Sequence, residues 1–463
     1  MDDLTKLADQ TLDNSLAHVP TLITPDNEDD VGLSFTSKYQ DSLRYVALWG
    51  KWFKWDGQTW KHDQVLYVFD MIRRLCREVF SSDNKLRTKM LNAGTIAAIE
   101  RLVRSDPKHA ATVDQWDSDD YLLNTQSGIV SLSSGELKPH DPNEHCTKIT
   151  SVGPDGECPT WIRFLNEITN DDLELVGFIQ RMIGYACIGS TKEHALFFFY
   201  GTGGNGKGTL LNTVLSILND YAVTASMDVF TESRHDRHPT ELAALMGARL
   251  VVAQETNEGR KWDEAKIKTL TGGDLITARF MRQDFFTFLP KFTLIIAGNH
   301  KPSIQTVDEA MRRRLHLIPF NVTIPKEDQD RDLGEKLQKE SNGILRWMIE
   351  GAVFYQQQGL NPPQSVIEAT ECYFEDEDTL QQWVSDYCEI GPSCWETPTI
   401  LFQSWKAFAL AANIAPGSTG GFKSKLEAIR IRQTKTGKHG RRYQGIRVKP
   451  EINQNYEGEC WER

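Results

Sequence analysis

Nine consecutive residues carry the clearest chemistry: Gly201, Thr202, Gly203, Gly204, Asn205, Gly206, Lys207, Gly208 and Thr209. Glycines admit positive φ, so successive N–H groups in such a loop can turn inward on an anion. A lysine at the end of the loop reaches the β- and γ-phosphates of a bound nucleotide. The general phosphate-loop pattern sets Ser or Thr directly after the lysine, where its hydroxyl binds Mg2+. Here Gly208 holds that place and Thr209 follows. The stretch predicts ATP binding, with Thr209 taking part of the hydroxyl's role or the metal held differently.

Three further groups lie downstream. The run Arg249-Leu-Val-Val-Ala-Gln-Glu-Thr256 ends in Gln254 and Glu255. A carboxylate at a strand's carboxyl end faces the phosphates and can orient water or bind Mg2+. The common arrangement has two acidic residues there, so with Gln254 in place Glu255 is the carboxylate that matters. Phe292-Thr-Leu-Ile-Ile-Ala-Gly-Asn299 ends in an amide that can hold the γ-phosphate or the attacking water. Asp308-Glu-Ala-Met-Arg-Arg-Arg-Leu315 sets three arginines in a row. Such an arginine, delivered by a neighbouring subunit, stabilises transition-state charge in phosphoryl transfer.

Other residues suit a polynucleotide. Arg279, Phe280, Met281 and Arg282 fall near the tip of a hairpin predicted from strands at Ile276–Phe280 and Phe285–Leu289. Guanidinium groups beside an aromatic ring suit a single-stranded backbone and its bases. Residues 416–450 hold about ten Lys and Arg against one carboxylate, Glu427. Lys438, Arg441 and Arg442 in that stretch read as a tip that touches phosphates.

The elements that must position these groups are readable as apolar runs. Leu196 to Tyr200 reads as a buried strand, followed by the glycine loop and a helix with Leu210, Leu211, Val214, Leu215 and Leu218 on one face. Residues 190–325 form an α/β unit, and residues 330–360 are helical. Upstream, Leu43–Trp60 reads as two short strands, Val65–Phe80 and Lys85–Val103 as helices, Trp116–His140 as a β-meander, and Trp161–Gly189 as helical. The tryptophans around Trp52 and Trp60 fit a small packed core better than a stacking platform. After Asn361-Pro-Pro363 the last hundred residues read as a separate small domain.

A chain of 463 residues suggests about three domains. The net charge of −12 argues against a protein that coats nucleic acid with its whole surface, and leaves room for a basic channel or patch. The eight cysteines form no C-x-x-C pair, which fits reduced thiols rather than a zinc ribbon or redox pair. No apolar run approaches a membrane span, and the acidic start carries no secretory signal.

These motifs together resemble superfamily 3 helicases, and within them the helicase half of the phage and plasmid primase–helicases related to the poxvirus primase–helicase. The carriers are the loop Gly201–Thr209, the strand ending at Glu255, Leu270-Thr-Gly-Gly-Asp274 with Ile276-Thr-Ala-Arg-Phe280, Ala297-Gly-Asn-His-Lys-Pro302, and Asp308 to Phe320. Trp52 to Trp60, Leu123 to Leu137 and Cys158-Pro-Thr-Trp161 resemble the domain before the ATPase in that family. The resemblance implies an AAA+ type P-loop ATPase core with an N-terminal mainly helical domain and a C-terminal winged-helix domain. The polar, acidic residues 1–30 read as a mobile tail, and the resemblance implies a helical/β collar-like domain over 31–190, the helicase domain over 191–360 and a winged-helix-like domain over 361–463.

The same resemblance implies a hexameric ring on single-stranded or forked DNA, moving 3′ to 5′ with ATP and Mg2+. Lys207 and Thr209 then contact phosphate, Thr209 and Glu255 hold the metal, and Glu255 takes the Walker B role. Asn299 is the sensor, and Arg313 or Arg314 is the finger. Arg279, Phe280 and Arg282 sit where the DNA-reading hairpin is expected. Residues 1–30 or so are too few for the primase domain that members often carry, so a separate primase or polymerase is the implied partner. The implied place of work is the cytoplasm of a bacterial host cell. Two other readings compete: an ATP-dependent origin-binding or DNA-loading ring that unwinds little, and a P-loop kinase or small-molecule ATPase with no use for the arginine run.

Overall fold

The computed structural model describes residue 25 and residues 27–80, 84–232, 240–254, 260–304, 308–412, 416–429, 431–436 and 440–450. Five parallel strands form the central sheet: β1 (Leu196–Tyr200), β2 (Ala222–Ser226), β3 (Leu250–Gln254), β4 (Thr293–Gly298) and β5 (Leu315–Pro319). Their order across the sheet is β5-β1-β4-β3-β2. Both faces are covered, which is why the strands read as unbroken apolar runs rather than alternating ones. Phe197, Phe199, Val252 and Ile295 point into one core cluster; Leu196, Phe198, Val251 and Leu294 point into the other.

The first cluster is closed by helices α1 (Pro159–Ile168), α2 (Leu173–Cys187), α3 (Lys207–Leu218) and α4 (Ser341–Gln358). Helices α2 and α4 cross at two glycines. A Cβ on Gly184 would lie 2.1 Å from the Ala352 nitrogen, and one on Gly351 would lie 2.2 Å from the Gln180 carbonyl oxygen. The second cluster takes Tyr373 and Phe374 from α5 (Gln364–Glu377). Thr370 of that helix accepts a hydrogen bond from the Leu317 N–H at 2.9 Å, on the side of β5 that no strand pairs among the described residues.

The packing therefore does not divide at residues 190 and 361. Leu123, Val130 and Trp161 belong to the same core as β1, and α5 lies on the sheet. Arg249 adds to this continuity: it donates to the carbonyls of Cys187 (2.8 Å) and Leu122 (2.8 Å) while its guanidinium lies over the Tyr221 ring. Three smaller clusters lie apart from these two: one spans Val31 to Val103, one gathers Val46, Phe53, Trp60, Ala111 and Trp116, and one spans Leu380 to Val448.

The region before α1 holds short strands among its helices. Helices Glu28–Tyr39, Tyr67–Val79, Asn84–Met90 and Ala93–Ser105 accompany two three-stranded antiparallel sheets, Leu43–His62 and Leu122–Lys138. The first sheet holds a third strand, Trp60–His62, beyond the two expected. The helix predicted over 85–103 is split at Asn92, whose side chain caps a new start by accepting from the Thr95 N–H. Trp52 and Trp60 are buried, and Trp52 donates to Glu100 at 2.8 Å, so both are core residues.

Of the acidic tail expected over residues 1–30, residues 1–24 and 26 lie outside the described residues. Glu28, Asp29 and Asp30 form the first turn of a helix capped by Asn27, where carboxylates complement the helix dipole. After α5 the chain forms helices Thr379–Tyr387, Pro398–Ala411 and Thr419–Ala428 and a three-stranded sheet, Cys388–Glu396, Gly440–Val448 and Gln433–Thr436. The seven cysteines within the described residues are free thiols. Among the described residues no helix is long and apolar enough to cross a membrane.

Candidate nucleotide site

The glycine loop leaves β1 and ends at Gly206, the N-cap of α3, in the left-handed region with φ of 80°. No other residue type fits there. A Cβ on Gly206 would lie 2.5 Å from the Ile168 side chain and 3.0 Å from the Phe164 ring, both on α1. The N-terminus of α3 thus faces the loop, and its unpaired N–H groups and dipole favour an anion. Leu210, Leu211, Val214 and Leu218 anchor the helix in the core.

Lys207 is folded back into the loop. Its Nζ donates to the Gly201 carbonyl at 2.6 Å, to Asn205 Oδ1 at 3.0 Å and to Asn299 Oδ1 at 3.4 Å. Asn205 is itself buried and donates to the Phe320 carbonyl at 3.3 Å, tying the loop to the end of β5. Burial disfavours the ammonium and pushes the Lys207 pKa down to about 8. Strand order explains the Asn299 contact. β4 lies between β1 and β3, with Gly298 in register with Tyr200, so Asn299 emerges beside the loop.

Gln254 at the end of β3 donates to Asn212 Oδ1 at 3.3 Å. Asn212 sits one helical turn after Thr209, a spacing that puts both on one side of α3 and was available in the sequence as a signal. Glu255 lies outside the described residues. Among the described residues no group of three or more His, Cys, Asp or Glu could hold a metal ion.

The arginine run separates into three environments. Arg312 lies over the Phe374 ring of α5, 5.0 Å from its centroid. Arg313 is exposed. Arg314 is buried and donates to Ala310 O at 2.8 Å and Thr271 Oγ1 at 3.2 Å, so its guanidinium is engaged within its own chain.

The predicted hairpin forms with shorter strands, Ile276–Ala278 and Phe286–Phe288. Phe280 stacks on Phe286 with centroids 5.6 Å apart, and Arg279 lies over Phe285 at 4.7 Å. The outermost apolar groups are Met281 and Phe285, 70% and 60% exposed, with Arg282 between them in the left-handed region. In the C-terminal sheet Arg441 is exposed and Arg442 lies 3.6 Å from the centroid of Trp395; Lys438 lies outside the described residues.

Residues 33–170 match the family described as "D5 N terminal like", and residues 199–314 match one described as a family of unknown function, DUF5906. Over 296 residues the chain is 26% identical to "Putative helicase L207/L206" of Acanthamoeba polyphaga mimivirus, covering 58% of this chain and 31% of that protein. Over 383 residues it is 24% identical to "Putative primase C962R" of African swine fever virus, covering 74% of this chain and 38% of the relative.

The chain is thus similar to viral proteins named as helicases and primases. The chain spans about a third of the length of the viral proteins it matches. It is also 25% identical over 285 residues to "Putative helicase 022R" of Frog virus 3, covering 56% of this chain and 29% of that protein. Among solved structures, the C-terminal region of NrS-1 aligns with 91% of this chain and 100% of its own, at 12% identity and a TM-score of 0.48. The second matched stretch holds the glycine loop, the hairpin, Asn299 and the arginine run, whereas the first holds α1.

Proposed function

We propose that this chain is the ATP-driven motor of a DNA helicase that serves replication of a phage, plasmid or other mobile element. The observation that carries the reading is the meeting of Lys207 and Asn299 at the carboxyl ends of adjacent parallel strands, 3.4 Å apart across a glycine loop. A lysine that faces only oxygens is poised to trade them for phosphate oxygens, and an amide beside it is placed to sense the γ-phosphate. The viral relatives with helicase and primase names support DNA as the track.

The loop fits a polyphosphate: Gly206 leaves no room for a side chain and α3 offers its N-terminus. For Mg2+, which would neutralise phosphate charge when bound, the residues that would hold it are Thr209 and Glu255. Arg313, exposed beside the buried Arg314, is assigned as the finger that reaches a neighbouring subunit's nucleotide; Arg314 ties its own turn to Thr271 and Ala310. Met281, Phe285, Arg279 and Arg282 are assigned to DNA at the hairpin, with Phe280 bracing Phe286 from behind. Arg441, Arg442 and Lys438 are assigned to phosphate contacts in a winged-helix end domain. The motif resemblance supports the superfamily 3 and AAA+ assignment, the hexameric ring, 3′ to 5′ movement and a separate primase or polymerase as partner.

The test is ATPase rate against single-stranded DNA concentration for the natural chain and Arg313→Ala, with mass photometry on the same samples. DNA-stimulated turnover in a hexamer, lost in the variant while the ring persists, is expected. A monomer whose turnover ignores DNA would sink the helicase reading and favour a small-molecule ATPase. A ring that binds duplex DNA and hydrolyses ATP but displaces no strand would favour the loading ring instead.

A further inference from the structure

After Asn299 the chain leaves the sheet and runs through residues 300–304. Two parts of the molecule grip that segment. Residues 260–262, downstream of β3, hold its backbone: the Ser303 N–H donates to the Arg260 carbonyl at 2.9 Å, and the Trp262 N–H donates to the Ser303 carbonyl at 3.1 Å. The C-terminal end of α5 holds it from the other direction. There the Tyr373 hydroxyl donates to the Pro302 carbonyl and accepts from Trp262 Nε1 at 3.1 Å. One oxygen of the Glu377 carboxylate accepts from the Ile304 N–H at 2.9 Å. We propose that Tyr373 and Glu377 are positioning residues for Asn299: the end of α5 fixes the segment that Asn299 leads into, and with it the place of the amide beside Lys207. The proposal rests on the nucleotide reading above and adds which residues outside the site set its geometry.

Three observations support it. The first is the Tyr373 hydroxyl itself. Tyr373 and Trp262 are both buried, and a ring that only filled the core would have no use for a hydroxyl with two partners. That one oxygen joins α5 to the continuations of both β3 and β4. The second is Lys301. Its ammonium lies 4.5 Å from the ring centroid of Tyr200, the residue just before the glycine loop, and 5.6 Å from that of Tyr373. Cation–π attraction to both rings ties the segment to the root of the loop as well as to α5. The third is the tolerance of the site. The Asn299 amide meets Lys207 at 3.4 Å, and a misplacement of about 1 Å in such a constellation costs about a hundredfold in rate. A segment outside the sheet holds that tolerance only if something fastens it.

The experiment measures ATP hydrolysis by the full chain, with ATP affinity by calorimetry on the same samples. Tyr373→Phe keeps the ring and removes both hydrogen bonds of the hydroxyl. It is expected to lower kcat by about tenfold and to change ATP affinity by less than about twofold. Glu377→Ala is expected to act in the same direction, and Glu377→Gln, which keeps an acceptor for the Ile304 N–H, to recover most of the loss. Glu377 is only half-buried, so this pair carries the test should Tyr373→Phe fold poorly. Asn299→Ala combined with Tyr373→Phe is expected to be no slower than Asn299→Ala alone, because Tyr373 acts through that amide. Thr370→Val loosens the same helix at β5 and is expected to leave kcat unchanged. Unchanged kcat in Tyr373→Phe and Glu377→Ala, losses that multiply in the double variant, or an equal loss in Thr370→Val would overturn the proposal and leave the phosphate loop intact. A natural chain that neither binds nor hydrolyses ATP would overturn the nucleotide reading itself and this inference with it.

Discussion

Lys207 holds its charge among oxygens but away from water, and its pKa of about 8 follows from that burial. Below that pH the ammonium is present; above it the free chain holds a neutral amine. A bound triphosphate favours the ammonium and raises the pKa again. ATP affinity is therefore expected to fall as pH rises from about 8, by up to roughly tenfold per unit while the free amine stays neutral. Titration calorimetry across that range checks this, with Lys207→Arg as the variant that should lose the slope because Arg does not titrate there. A flat profile in the natural chain would show that Lys207 does not meet the phosphates. The arginine run gives a second prediction. Arg314→Ala removes bonds to Thr271 and Ala310 from a buried site and should cost about 1–3 kcal/mol, seen as a lower midpoint in denaturant. Arg313→Ala should leave that midpoint unchanged and act on turnover alone. Three identical residues in a row cannot disclose from their letters which one is buried. That depends on where the short helix Glu309–Arg312 ends and β5 begins.

The loop, its flanking strand and α3 were readable because each has a local cause: an apolar run, glycines before a lysine, then apolar residues at helical spacing. Strand order was not, since nothing local in Thr293–Gly298 says that it inserts between β1 and β3. Yet that insertion is what brings Asn299 to Lys207. The third strand of the first sheet has no legible signal either, because three residues are too few for periodicity to show. Gly206 links element geometry to binding. Gly206→Ala would force a Cβ toward Ile168 and Phe164 at a left-handed position, a strain of about 1–3 kcal/mol. The expected outcome is a chain that still folds by circular dichroism but loses ATP binding in calorimetry, because the loop must shift to fit. Unchanged affinity would mean that the loop's backbone is not what holds the phosphates. Edge protection gives a milder case. Thr370→Val leaves the Leu317 N–H without its acceptor and should lower stability by about 1 kcal/mol.

Distant parts of the chain hold one another. The Glu340 carboxylate accepts from the N–H groups of Thr160 (2.9 Å) and Trp161 (3.0 Å), so a residue at the start of α4 caps α1 from 180 positions away. Glu340→Ala should cost about 1–2 kcal/mol in thermal or denaturant unfolding, the scale of a lost cap. No change would mean that water replaces the carboxylate freely. Such reciprocal support explains why packing runs across the divisions expected at residues 190 and 361. Sequence shows where a segment changes character, and the fold decides which neighbour it leans on. The crossing of α2 and α4 at Gly184 and Gly351 has a consequence for genetics. In a saturation screen scored by replication, both positions should tolerate almost nothing but glycine and so imitate Lys207, although neither borders the glycine loop. Scoring the same library by protein abundance would part them: variants at 184 and 351 would vanish from the cell, while Lys207 variants would accumulate as intact, idle protein.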